Sequence, residues 1–333
     1  MATKVYFGVN LSFTKYVYGR KRALEVARRQ LGVRHVEMVA DNDFGPVFYQ
    51  RTPEAFRSYH WQIADHARAQ GVMIPGVFTV YRDAGAIAHG HPEVRESAYH
   101  VGLSLIEQAA CYGSRYVGMS LYTMGREEAE DPERYQAGFY SGLEVWKRWM
   151  NEAKRVGLKQ LLIEMSATCR EGCSTIEETR VTLDLLEEHH RQNPGTTVPV
   201  GLCYDTGHGI SPEENRDEAN RDFRAWFSAF PAQTVEVHLK NTDAQFLETW
   251  HLGHPNGIID LREVLRAVRD TLTVPEVFLF LEIPGKRARE AGERRAIEDH
   301  VDSISRVRDG LTALGYREDP ADFGWVLAAS SAT

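Results

Sequence analysis

The chain has 333 residues, 43% of them hydrophobic and 26% charged, with a formal net charge of −8. That is an ordinary globular composition, and it contains no apolar run of about 18 residues that could cross a bilayer. The acidic balance opposes tight nucleic-acid binding, which rests on cations set against phosphates; a small phosphorylated substrate would need only a local cation.

Strand-like and helix-like stretches alternate from the start. The runs KVYFGVN (4–10) and RHVEMV (34–39) read as the first two strands. Thr52-Pro53 then supplies an N-cap and a first-turn proline for a helix ending near Gly71, before VMIPGVFTV (72–80). A second helix runs from Pro92 to Gly113, ahead of SRYVGMS (114–120), and a third spans 134–157. Glycine at each helix end suits the left-handed residue that such turns need. Four further runs complete the set: LLIEMS (161–166), VPVGLCYDTGH (198–208), TVEVHLKNTD (234–243) and VFLFLEIP (277–284).

Continuously apolar runs such as FLFL suit strands buried on both faces, and no Gly-x-Gly-x-x-Gly turn follows the first strand. Eight βα units predict a single-domain α/β protein, a (β/α)8 TIM barrel over residues 1–316, with 317–333 as a loosely attached tail. The N-terminus lacks a secretory pattern, so a cytoplasmic location is expected. Four cysteines make no disulfide framework, and Cys169 and Cys173 lack the second pair that a zinc cage requires.

In each of the last four runs a metal-liking side chain stands where the apolar stretch gives way to a loop: Glu164, Asp205, His238 and Glu282. That end of a parallel barrel is where chemistry collects. Three carboxylates and an imidazole converging there would repel one another without a cation, so one divalent metal is expected: Mn²⁺, Mg²⁺, Co²⁺ or Zn²⁺. Lys240 follows His238 by two residues, so strand alternation turns it to the same side, where it could bind substrate anions. In Asp205-Thr206-Gly207-His208-Gly209 the glycines permit a turn that brings His208 toward the cavity as a ligand or substrate contact. Glu37 could bind substrate hydroxyls, and Trp250 in the loop after the seventh strand could wall the pocket, with His251 and His254 nearby. His91-Pro92 reads as a helix entry, and His189 and His190 as solvent-exposed.

The segments IEMSATCREGCSTIEET (163–179), YDTGHG (204–209), VHLKNTD (237–243), GHPNGIID (253–260) and LEIP (281–284) resemble the xylose-isomerase-like barrel superfamily over most of the chain. The resemblance implies that Glu164, Asp205, His238 and Glu282 bind the metal and that the two glutamates serve as acid and base. Such a site moves protons beside a carbonyl, with a Lewis acid and flanking carboxylates. The loop Cys169–Thr175 with VHLKNTD looks most like the erythrulose-phosphate isomerase branch, which would make Arg170, Ser174 and Lys240 phosphate partners. Ketose 3-epimerases keep an arginine soon after the matching histidine, where this chain has Ala244 and Gln245.

The expected activity is therefore a metal-dependent isomerase of a small sugar or sugar phosphate, possible substrates including a tetrulose phosphate. A ketose epimerase, and a hydrolase or dehydratase of a sugar acid, stand as alternatives. An endonuclease would need additional histidines at strands two and three, and a non-catalytic binder would not need both glutamates. Homo-oligomers are expected by analogy with the superfamily.

Overall fold

Eight parallel strands close on themselves in the computed structural model: β1 (Lys4–Asn10), β2 (His35–Val39), β3 (Met73–Phe78), β4 (Tyr116–Ser120), β5 (Gln160–Glu164), β6 (Val200–Asp205), β7 (Thr234–Leu239) and β8 (Glu276–Leu281). Each pairs in parallel with the next, and β1 pairs with both β8 and β2, which seals the barrel. The structure describes residues 3–14, 18–40, 45–79, 82–166, 168–210, 216–243, 249–284 and 292–328; Ala244 and Gln245 lie outside these. No helix among the described residues is long and apolar enough to cross a membrane.

The eight strands fall on the expected runs, and the last four end two to four residues before those runs do, because the polar ends form the rim. Helices Pro53–Gln70 and Pro92–Tyr112 stop at Gly71 (φ 65°) and Gly113 (φ 71°), the left-handed conformation that glycine adopts without a Cβ clash. Thr52 does not cap as expected: its hydroxyl donates back to the Phe48 carbonyl at 3.3 Å. The third helix, Pro132–Arg155, begins earlier than the periodicity suggests, because Asp131 accepts from the Glu133 and Arg134 amides.

Inside the barrel, Tyr6, Phe78, Tyr116, Phe278 and Phe280 pack with Leu162 and Cys203. Rings this large fit because neighbouring strands carry glycine. A Cβ on Gly76 would lie 2.1 Å from the Tyr116 ring, and one on Gly118 would lie 2.0 Å from Phe78.

The C-terminal segment as far as residue 328 is not a loose tail. Strands β9 (Tyr316–Glu318) and β10 (Gly324–Leu327) form an antiparallel hairpin, and β10 pairs with the start of β1 through Val5↔Trp325 and Tyr6↔Gly324. That stretch of β1 has a free side because β2 joins it only from Gly8 onward. Lys4 fastens the hairpin through a 2.6 Å ion pair with Asp322. Residues 329–333 lie outside the described part.

Candidate active site

The strand ends bring the four expected ligands together. Glu164 and Asp205 are the last residues of β5 and β6, His238 is the penultimate residue of β7, and Glu282 follows β8 directly. One donor atom from each lies within 4.8 Å of all the others, and all four residues are buried. His238 Nδ1 is 3.0 Å from Glu164 Oε1, 3.6 Å from Glu282 Oε2 and 4.0 Å from Asp205 Oδ2. Three carboxylate oxygens and one imidazole nitrogen at this spacing suit a divalent cation of the Mg²⁺-to-Zn²⁺ kind.

Lys240 reaches the same oxygens. Its ammonium is 2.6 Å from Asp205 Oδ2 and 3.0 Å from Glu282 Oε2, on a residue only 7% exposed. Gly207 makes room for it, since a Cβ there would lie 2.8 Å from Lys240 Cε. The two glycines of the motif thus divide their roles, and Gly209 alone takes the left-handed conformation, at φ 63°. The Thr206 hydroxyl donates to the Lys240 carbonyl and accepts from its amide, tying the rims of β6 and β7 together. The Gly207 amide donates to Asp205 Oδ1 at 2.7 Å, which fixes the carboxylate's direction.

The charges are strongly interdependent. Burial pushes the Asp205 carboxyl up, but the neighbouring His208, Lys240 and His238 outweigh it and hold the group below the usual carboxylate range. Burial also raises Glu282, and here the opposing Lys240 and His238 do not fully compensate. For Lys240 and His238, burial favours the neutral form but loses to the surrounding groups, Asp205 and Glu282 for the lysine and Cys203, Glu37 and Glu282 for the histidine, so both are raised.

The other expected contacts fare unevenly. His208 is at the edge of the cluster, with Nδ1 donating to the Met165 carbonyl at 3.1 Å and Nε2 at 3.3 Å from the Lys240 ammonium. Glu37 is not on the cavity wall. It is fully buried beneath His238, and its Oε2 accepts from His238 Nε2 at 2.9 Å and Asn10 Nδ2 at 2.6 Å. Arg170 is exposed on a short 3-10 turn, with no hydrogen bond or ion pair to the cluster among the described residues. Ser174 is buried against Glu178 Oε2, to which its amide and hydroxyl both donate. Trp250 forms a β-bridge with Asn241 and stacks on His254 with ring centroids 3.9 Å apart, so one ring face is already covered. His91 accepts from the Glu93 amide at the helix entry, whereas His189 and His190 are half-buried, not solvent-exposed.

Three polar residues of the barrel interior went unnoticed in the sequence: Asn10, Cys203 and Glu236. Glu236 Oε1 lies 2.8 Å from His238 Nε2, and the residue is fully buried. The same two-residue alternation that places Lys240 beside His238 places Glu236 on its other side.

Several solved structures share this architecture. A presumed xylose isomerase from Rhodospirillum rubrum ATCC 11170 is 20% identical with a TM-score of 0.80, the match covering 92% of this chain and 99% of that one. A D-tagatose 3-epimerase-like protein (16%, TM-score 0.68, 93% and 98% covered) and a D-psicose 3-epimerase crystallised with D-fructose (14%, 0.66, 91% and 98%) are also similar. At these identities the likeness shows the fold. No protein of curated function matches the sequence. A model of the xylose isomerase-like TIM barrel family matches residues 26–306, and the chain belongs to that family.

Proposed function

We infer that the protein is a metal-dependent isomerase or epimerase of a small sugar or sugar phosphate, acting by proton transfer at a carbon beside a carbonyl. The observation that carries this reading is the convergence of Glu164, Asp205, His238 and Glu282 on one point at the C-terminal ends of successive strands. Similar structures described as 3-epimerases support the reaction class.

A divalent cation bound by these four residues would supply the Lewis acid that acidifies the substrate's C–H. Glu164 and Glu282 enter from β5 and β8, so one carboxylate can take the proton and the other can return or relay it. Lys240 donates to substrate oxygens, and His208, held by its bond to Met165, offers Nε2 at the rim. The buried aromatic floor under the cluster keeps water from that side. A tetrulose phosphate such as erythrulose phosphate is the finer substrate assignment; it rests on the Cys169–Thr175 loop, where Arg170 is exposed and could meet a phosphate. Homo-oligomerisation and a cytoplasmic location belong to the same proposal.

The test is proton exchange by NMR with added Mn²⁺ in D2O, across tetrulose phosphates, pentulose phosphates and free ketoses, beside a Glu282→Gln control. Deuterium entering one substrate next to its carbonyl, and lost in the control, supports the reading. A metal-loaded protein that exchanges none of them, yet eliminates water from a sugar acid, would replace it with the dehydratase.

A further inference from the structure

His238 sits between two sets of carboxylates. Its Nδ1 faces Glu164, Asp205 and Glu282, and its Nε2 faces Glu236 Oε1 at 2.8 Å and Glu37 Oε2 at 2.9 Å. Both lower acids are fully buried within the barrel's aromatic interior. Neither is placed for contact with solvent or substrate. Glu37 Oε1 and Glu236 Oε2 reach no hydrogen-bond partner of ordinary geometry among the described residues. As pieces of a core they are costly, because buried carboxylates with incomplete partners are harder to accommodate than apolar side chains of similar size. What they do satisfy is the far nitrogen of one imidazole.

An imidazole that binds a metal through one nitrogen carries its proton on the other, and a carboxylate accepting that proton fixes both the tautomer and the ring plane. Glu37 Oε2 meets that requirement as the acceptor for Nε2 at 2.9 Å, and Glu236 Oε1 lies 2.8 Å from the same nitrogen as a second negative charge. Asn10 steadies Glu37 through a 2.6 Å hydrogen bond, and Cys203 Sγ lies 3.6 Å from Glu236 Oε1. The Phe78 ring stands edge-on to the imidazole at 4.6 Å, closing off rotation from the side. We propose that Glu37, with Glu236 beside it, is a positioning residue that holds His238 with Nδ1 as the metal donor and strengthens that donor through the proton on Nε2. This inference rests on the metal-dependent reading of the site.

The experiment measures metal uptake and needs no substrate. Wild type, Glu236→Gln, Glu37→Gln and the double variant are titrated with Mn²⁺ by calorimetry, the Co²⁺-loaded forms are compared by their d–d absorption, and the apo proteins are melted. Glutamine keeps the shape of each side chain and removes its charge. The expected result is one ion per wild-type chain, Kd raised roughly 10-fold in Glu37→Gln and up to about 100-fold in the double variant, with a shifted Co²⁺ band. Apo melting temperatures should stay level or rise. Single and double variants that keep the wild-type Kd and Co²⁺ band, whatever their melting temperatures, overturn the positioning role. So does a wild type that takes two ions where either single variant takes one, since that glutamate would then be a ligand itself. A wild type that binds no metal sinks the metal-dependent reading and this inference with it, a result distinct from equal binding by all four proteins.

Discussion

The Lys240 ammonium lies 2.6 Å from Asp205 Oδ2, the oxygen that also faces His238 Nδ1 across the centre of the ligand cluster. Lysine and metal therefore draw on the same carboxylates. Without a metal, the lysine offsets part of the repulsion among Glu164, Asp205 and Glu282; with one, it must yield some of that contact. Lys240→Met should accordingly bind Mn²⁺ more tightly than wild type, by about 10-fold, while losing turnover if the proposed donation from Lys240 to substrate oxygens holds. Calorimetry and the exchange assay together check this. Weaker metal binding in the variant would mean that Lys240 supports the loaded site and does not compete with it.

A related expectation concerns protons. Both ring nitrogens of His238 face carboxylates, and the group's pKa is raised because the acids around it outweigh its burial. A metal can bind Nδ1 only after the proton there has left, so loading should release a proton and affinity should increase with pH. Mn²⁺ titrations in two buffers of different ionisation enthalpy read the number released. A value near zero at pH 7 would show that Nδ1 is already bare.

The aromatic interior predicts a coupled defect. A Cβ on Gly118 would lie 2.0 Å from Phe78, whose ring stands against His238 at 4.6 Å. Gly118→Ala should therefore lose about 1–3 kcal/mol of stability by overpacking and also weaken metal binding, as the displaced ring pushes the imidazole. At Gly201 the nearest atoms to a new Cβ are 3.0 Å away, the Leu162 and Val235 methyls, and Gly201→Ala should be milder with metal binding intact. Denaturant melts and Mn²⁺ titrations of the two variants separate these outcomes.

Much of this architecture was legible because parallel barrel strands are buried on both faces and their ends turn polar abruptly. Glu164, Asp205, His238 and Glu282 could be found from that switch alone. Glu37 read as the polar residue ending the second strand, whereas it stands in the middle of β2, and its direction was not visible because the sequence does not say that β2 lies across the barrel from β7. Glu236 was hidden for the opposite reason: an acid inside an apolar run reads as a pattern error unless the alternation from His238 is followed backward as well as forward. The hairpin at 316–327 escaped because its strands are short and its partner edge exists only through the offset between β1 and β2. Loop residues such as Arg170 and Trp250 have placements that depend on loop paths, which periodicity does not encode.

Acid should destabilise the fold through its buried histidines. His300 is fully buried in the helix Gly292–Ala313, its ring 4.2 Å from that of Phe13 and its Nδ1 donating to the Ala296 carbonyl. Burial lowers its pKa to about 4, and His35 behaves alike. Below pH about 6.5 the unfolded chain takes up a proton at each of these histidines while the folded protein does not. Stability then falls as the pH drops from about 6.5 to about 4, by up to about 3 kcal/mol per histidine. His300→Leu removes one of the two groups without a charge to bury, and the helix amide of residue 300 keeps its own bond. Urea melts from pH 7.5 to 4 should show the variant losing less stability than wild type across this window. If the two curves run parallel throughout, His300 is protonated in the folded state and its burial does not set the acid limit.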